Sequence, residues 1–238
     1  MLVIRNISKS FDGNDVLRGL SCSFSHGKVA VMGANGSGKT TLLNIISGFI
    51  HPDKGSIEVD GRNTSYVSPE KIIDMGVART FQDLRVFHSL SVEKNIYLAA
   101  NNKNDESFIK SIFPKIDSIA MEKVNSVMKH VGITSIKDSL AGEISFGQQK
   151  LLTLALALVN EPKVLLLDEP VAGVEPKFRE RIAELLLSYS GLILFIEHDT
   201  NFVKEVSDRV VFINSGKVLI EGGYSEVMSK SAVQEAYL

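Results

Sequence analysis

An α/β fold is predicted from the order of apolar runs, glycines and helical stripes in this chain. Val29–Met32, Val164–Leu167 and Leu192–Ile196 are continuously apolar, as parallel strands buried on both faces are. Stretches with helical apolar spacing stand between them. Directly after Met32 comes Gly33-Ala34-Asn35-Gly36-Ser37-Gly38-Lys39-Thr40, and a helical segment begins at Thr41. Strand, glycine-rich loop and helix in immediate succession is the setting of a phosphate-binding loop.

The remaining elements follow in chain order. Residues 2–7 and 16–24 alternate as half-buried strands joined by a turn at Asp12-Gly13-Asn14, the start of an antiparallel β subdomain. Gly48 ends the helix after the loop, and Ser56–Val59 leads into the hairpin signal Asp60-Gly61. Ser68-Pro69-Glu70 opens a short helix with Ser as N-cap, Gly76 closes it, and residues 77–82 read as a strand. Helical spacing over 91–100 and 117–131 makes residues 83–145 a helical insertion within the α/β core of residues 1–82 and 146–238. After it are expected a helix at 146–159, a strand at 164–167, a helix at 176–189, a strand at 192–196, a hairpin around Asn214-Ser215-Gly216 and short terminal helices.

Composition narrows the function. The chain has 238 residues, 44% hydrophobic and 23% charged, with a formal charge of −2. That charge offers no basic footprint for nucleic acid. The single cysteine, Cys22, forms no internal disulfide, and a reducing compartment fits. Residues 1–6 lack the apolar core of a signal peptide, and the longest apolar run, Leu151–Val159, is too short to cross a bilayer. Any membrane role is therefore expected to be peripheral, through partner subunits.

The loop residues point to a nucleoside triphosphate. Glycines let successive backbone N–H groups converge on phosphate oxygens, and the helix N-terminus adds partial positive charge. Lys39 is expected to reach the β- and γ-phosphates, and the Thr40 hydroxyl to ligate Mg²⁺. Average residue frequencies put a chance match to the four fixed positions at about one in a hundred. Asp168-Glu169 ends the strand 164–167, at the sheet edge where such folds bind ligands. Asp168 is placed to hold Mg²⁺ through water, and Glu169 to accept a proton from, or orient, the attacking water. His198 follows the strand 192–196, where it can donate to the γ-phosphate, and Gln82, ending the strand 77–82, can bridge metal or water. Ser145 can N-cap the helix beginning near Phe146, leaving an exposed positive helix end.

The succession of the loop 33–40, Gln82, Ile144-Ser145-Phe146-Gly147-Gln148-Gln149, Leu165-Leu166-Leu167-Asp168-Glu169-Pro170 and His198 resembles the ATP-binding subunit of an ABC transporter, over essentially the whole chain. The signature Ser145–Gln149 is its most specific element. The resemblance implies a RecA-like P-loop core and an ATPase coupled to transport. It assigns ATP to Phe11 (stacked on adenine), Gly33, Asn35, Gly36, Ser37, Gly38, Lys39, Thr40, Thr41, Ser145, Gly147 and Gln148. It assigns Mg²⁺ to Thr40, Gln82 and Asp168, and catalysis to Glu169, His198 and Gln82. It further implies a second ATPase subunit packed head-to-tail over two ATP molecules, transmembrane permease partners, a place on the cytoplasmic face of the cell membrane and, for an importer, a substrate-binding protein served indirectly. The segment Asp83–Leu98, with Leu84, Val86, Phe87 and Leu90, is the expected contact with the permease.

Phe146 stands where a second glycine is common in the family. That aromatic, Val77–Gln82, Ala172-Gly173-Val174-Glu175-Pro176 and the ending Ala236-Tyr237-Leu238 are similar to the ATPase subunits of branched-chain amino acid importers (the LivG type). Glu175 replaces a common Asp or Asn, and Leu151 and Leu156 replace common arginines. Two alternatives stay open on sequence: a soluble ABC ATPase such as one of iron–sulfur assembly, and the ATPase of an exporter such as a lipopolysaccharide transporter.

Overall fold

A computed structural model describes residues 1–81, 84–101 and 117–236. The strands and helices run β1 (Leu2–Phe11), β2 (Asn14–Phe24), β3 (Gly27–Met32), α1 (Lys39–Ile46), β4 (Lys54–Val59), β5 (Arg62–Asn63), α2 (Pro69–Asp74), β6 (Val77–Arg79), α3 (Val92–Ala100) and α4 (Ser118–Val131). They continue with α5 (Phe146–Leu158), β7 (Val164–Asp168), α6 (Pro176–Ser188), β8 (Leu192–Ile196), α7 (Thr200–Val206), β9 (Arg209–Asn214), β10 (Lys217–Gly222), α8 (Tyr224–Met228) and α9 (Ser231–Glu235).

Two compact units divide the chain. The first comprises residues 1–82, 162–173 and 180–238. It holds a four-stranded antiparallel sheet in the order β2-β1-β4-β5 and a six-stranded sheet in the order β10-β9-β3-β8-β7-β6. The five strands from β9 to β6 are parallel, and β10 closes the far edge as an antiparallel hairpin partner of β9. One apolar core joins the two sheets, with Leu2, Ile4, Ile7, Leu17 and Leu20 from the first and Val29, Val31, Leu166, Leu194 and Ile196 from the second. The fully apolar sequences of β7 and β8 are explained by their position: every residue of both is buried, as central parallel strands require.

The second unit comprises residues 83–161 and 174–179. Its helices α3, α4 and α5 pack against one another. α4 is capped by the Asp117 side chain, which accepts from the Ile119 N–H, and ends at left-handed Gly132. α5 was expected in the nucleotide-binding core, from residue 146 onward, yet it groups with this unit. Leu151, Leu152, Leu154 and Ala155 make α5 apolar around much of its circumference, which lets it pack with α3 and α4.

One local expectation changes, and one element was not anticipated. β6 ends at Arg79 rather than at residue 82; the Thr80 N–H still donates to the Leu166 carbonyl at 2.9 Å, and there the ladder stops. Ser68 is the N-cap of α2 as expected, although its side chain makes no capping bond. α7, which sequence spacing did not reveal, starts where the Asp199 carboxylate accepts from the N–H groups of Asn201 and Phe202. The strand-ending residue Gln82 lies outside the described residues, as do Tyr237 and Leu238 of the C-terminal resemblance.

Candidate functional site

Three strands deliver the site to one edge of the parallel sheet. Val31, Ile196 and Asp168 stand in one row across β3, β8 and β7. The segments leaving those strands therefore emerge side by side at their carboxyl ends, where open α/β sheets bind ligands. A cavity of about 280 Å³ opens there, lined by Val16, Asn35, Gly36, Gly38, Lys39, Thr40, Thr41, Glu169, Ile196 and His198.

The loop after β3 owes its shape to glycine. Gly33 has φ 147°, and a Cβ on it would stand 2.0 Å from the Ile213 carbonyl oxygen, so no larger residue fits between β3 and β9. Gly38, at φ 104°, is the N-cap of α1, so the free N–H groups of the first helical turn face the cavity end of the loop. Lys39 is buried, and its Nζ donates to the carbonyls of Gly33 and Ala34 at 2.8 and 2.9 Å. Burial lowers its pKa below the ordinary lysine value, while the charges of Glu169 and Asp168 act in the opposite direction. Ser37 Oγ is buried with no hydrogen-bond partner among the described residues and does not line the cavity.

Asp168 ends β7 and is buried, and Arg79 Nη2 donates to its Oδ2 at 3.3 Å. Arg79 Nη1 also donates to Asn44 Oδ1 and Ser47 Oγ on or next to α1, at 2.7 and 2.9 Å. Its guanidinium lies over the Phe81 and Phe49 rings, 4.9 and 6.0 Å from their centroids. Glu169 takes the left-handed conformation at φ 50°, uncommon for a residue with a side chain. Its N–H donates to the Ile196 carbonyl at 2.9 Å, and its Oε1 lies 3.5 Å from His198 Nε2. The predicted pair thus meets at the cavity.

No cluster of three or more His, Cys, Asp or Glu residues suited to a metal occurs among the described residues. Mg²⁺ needs none: it keeps waters and takes one or two carboxylates together with substrate phosphates. The Thr40 hydroxyl in the first turn of α1 and the Asp168 carboxylate fit that donor set.

Phe11, at the end of β1, is 40% exposed, so it is not a core residue, and it does not line the cavity. Lys9 Nζ lies 5.4 Å from its ring centroid. Ser145, Gly147 and Gln148 belong to the second unit. The Ser145 hydroxyl accepts from the Gln148 N–H at 3.4 Å, and Gln148 Oε1 accepts from the Ser145 N–H at 2.9 Å, a complete capping box. Gly147 meets Phe178 so closely that a Cβ would come within 2.1 Å of its ring. Two charged side chains that hold the strand ends were not singled out from the sequence. One is Arg79, whose side chain is 5% exposed; the other is buried Glu197, which accepts backbone N–H groups from the segments that leave β7 and β8.

Comparison with known proteins identifies the family. A family profile described as ABC transporter matches residues 17–172. The chain is 32% identical over 248 aligned residues to the high-affinity branched-chain amino acid transport ATP-binding protein BraF of Pseudomonas aeruginosa, covering 100% of this chain and 97% of that one. It is 31% identical, with the same coverage, to LivG of Salmonella typhimurium, which has the same descriptive name. A crystal structure of a nucleotide-free ATP-binding cassette from an ABC transporter superposes with a TM-score of 0.89 at 29% identity, covering 100% of this chain and 98% of the other. These matches along nearly the whole chain place it: the chain belongs to the ABC transporter family, as an ATP-binding, ATP-hydrolysing subunit.

Proposed function

We propose that this subunit powers an importer of branched-chain or related amino acids, working as one of two ATPases beneath a transmembrane permease. The likeness that carries the reading is to BraF and LivG along nearly their full length, at 31–32% identity. Members of the family dimerise and pair with transmembrane subunits. No helix among the described residues is long and apolar enough to cross a membrane, so the subunit would reach the bilayer through those partners, on its cytoplasmic face. Exposed Phe87, with half-buried Leu84, Val86 and Leu90, is the proposed contact.

In the proposed cycle, the N–H groups of the loop 33–40 and the Lys39 ammonium hold the β- and γ-phosphates. Thr40 and Asp168, with Gln82, would hold Mg²⁺, which neutralises charge on the β- and γ-phosphate oxygens. Glu169 accepts the proton of the attacking water, and His198 donates to the γ-phosphate. Phe11 stacks on adenine. Ser145, Gly147 and Gln148 at the start of α5 would meet the nucleotide of the partner subunit, where a positive helix end stabilises the charge of the transferring phosphoryl group. ATP then favours only the closed dimer, and its hydrolysis releases that bias.

Purification of the subunit from native membranes, with the co-purifying proteins identified, tests the reading. A multi-span permease, and ATP hydrolysis by the reconstituted complex that rises with a branched-chain amino acid and its binding protein, is the expected result. Co-purification with iron–sulfur assembly proteins, or with lipopolysaccharide-export components, contradicts it.

A further inference from the structure

Glu197 is a buried carboxylate, 4% exposed, that the proposed hydrolysis does not use. Its Oε1 accepts from the Val171 N–H at 2.9 Å, on the segment that leaves β7 after Asp168 and Glu169. Its Oε2 accepts from the N–H groups of His198 and Asp199 at 2.8 and 3.3 Å, on the segment that leaves β8. An ionised carboxylate is an acceptor on both oxygens, and bonds to it are roughly twice as strong as neutral ones. One side chain therefore ties two strand exits together, one oxygen to each. Those exits carry Glu169 and His198, which stand 3.5 Å apart. Glu169 holds a left-handed backbone conformation at φ 50°, which persists only where neighbouring structure imposes it.

We infer that Glu197 is a positioning residue for ATP hydrolysis: it clamps the two strand exits so that Glu169 and His198 keep a fixed separation at the phosphate end of the cavity. Its role rests on the functions proposed above for those two residues. The P-loop leaves a different strand, β3, and receives none of the three bonds. Nucleotide binding and turnover should then separate when the clamp is altered.

The test uses the full-length subunit. Glu197→Gln keeps the shape but turns one acceptor into an NH₂ group that faces a backbone N–H. Its kcat is expected to fall about ten-fold or more, with KM for ATP and the affinity of a fluorescent ATP analogue within about two-fold of wild type. Because Glu197 acts through its neighbours, Glu197→Gln combined with His198→Ala should lose far less than the product of the two single losses. Glu197→Asp keeps the charge but is one methylene short of spanning both exits, and should recover part of the rate. Wild-type kcat in Glu197→Gln, or fully multiplicative losses in the double variant, overturns the inference. Normal turnover in Glu169→Gln and His198→Ala overturns the roles of those residues and the clamp with them; normal turnover in Glu197→Gln alone overturns only the clamp. Should Glu197→Gln not fold, amide hydrogen exchange in the wild type decides. Shared protection of the Val171, His198 and Asp199 amides supports the clamp, and exchange as fast as exposed loop amides overturns it.

Discussion

Two carbonyl oxygens of its own loop hold the Lys39 ammonium, which sits buried beside Asp168 and Glu169. A triphosphate offers charged acceptors in place of these neutral ones, and charge-assisted bonds are the stronger. Lys39→Ala should therefore weaken ATP binding at least ten-fold, about 1.4 kcal/mol, in a calorimetric titration; unchanged affinity would remove Lys39 from the phosphate site. Cys22, half-buried on β2, is expected to be unreactive. Burial, reinforced by the Glu221 charge and opposed by Arg209, pushes its thiol up to about 12. The thiolate is the reactive form, so the native chain should resist iodoacetamide at pH 8 and label fully only when unfolded. Rapid labelling of native protein would contradict that burial. Lys39, Asp168 and Glu169 were legible because their spacing around glycines and an apolar strand has few other uses. Arg79 and Glu197 were not. A single charge at a strand end reads as solvated, and only the folded neighbours reveal that Arg79 fastens Asp168 or that Glu197 bridges two exits.

α5 begins with a reciprocal capping box and a glycine pressed against Phe178. Phe146 beside them is exposed, so this unusual aromatic does not belong to the interior. Gly147→Ala must displace the Phe178 ring, and overpacking of this kind costs about 1–3 kcal/mol. For a chain of this size a melting-temperature drop of about 2–4 °C per kcal/mol is expected in calorimetry; an unchanged melting temperature would mean that the ring is free to move. Ser145→Arg places a bulky cation at the proposed partner-facing helix end. It should leave ATP binding by the monomer intact while abolishing dimer-dependent hydrolysis, and loss of ATP by the monomer would contradict the placement across subunits. Most elements were readable because apolar periodicity reports which face is buried: α3, α4, β7 and β8 appear within a residue or so of their expected spans. The unit boundary was not readable in the same way. That α5 groups with α3 and α4 depends on tertiary partners. α7, with seven residues, is too short for periodicity to register, and its signal lies in the Asp199 cap alone.

At the scale of the molecule, parallel strand order brings the loop after β3 and the carboxylate after β7 to one edge, with β8 between them carrying His198. Loop, carboxylates and histidine are present in the first unit, while the signature Ser145 belongs to the second. Two copies, or this chain with a related one, would build two nucleotide sites from one surface used twice. Loss of the proposed proton acceptor should then preserve the ATP-bound assembly rather than prevent it. Glu169→Gln, incubated with ATP and Mg²⁺ and measured by light scattering during size-exclusion chromatography, is predicted to elute as a dimer that retains two unhydrolysed ATP molecules. A particle that stays monomeric with ATP bound, or that turns ATP over at the wild-type rate, would contradict the account.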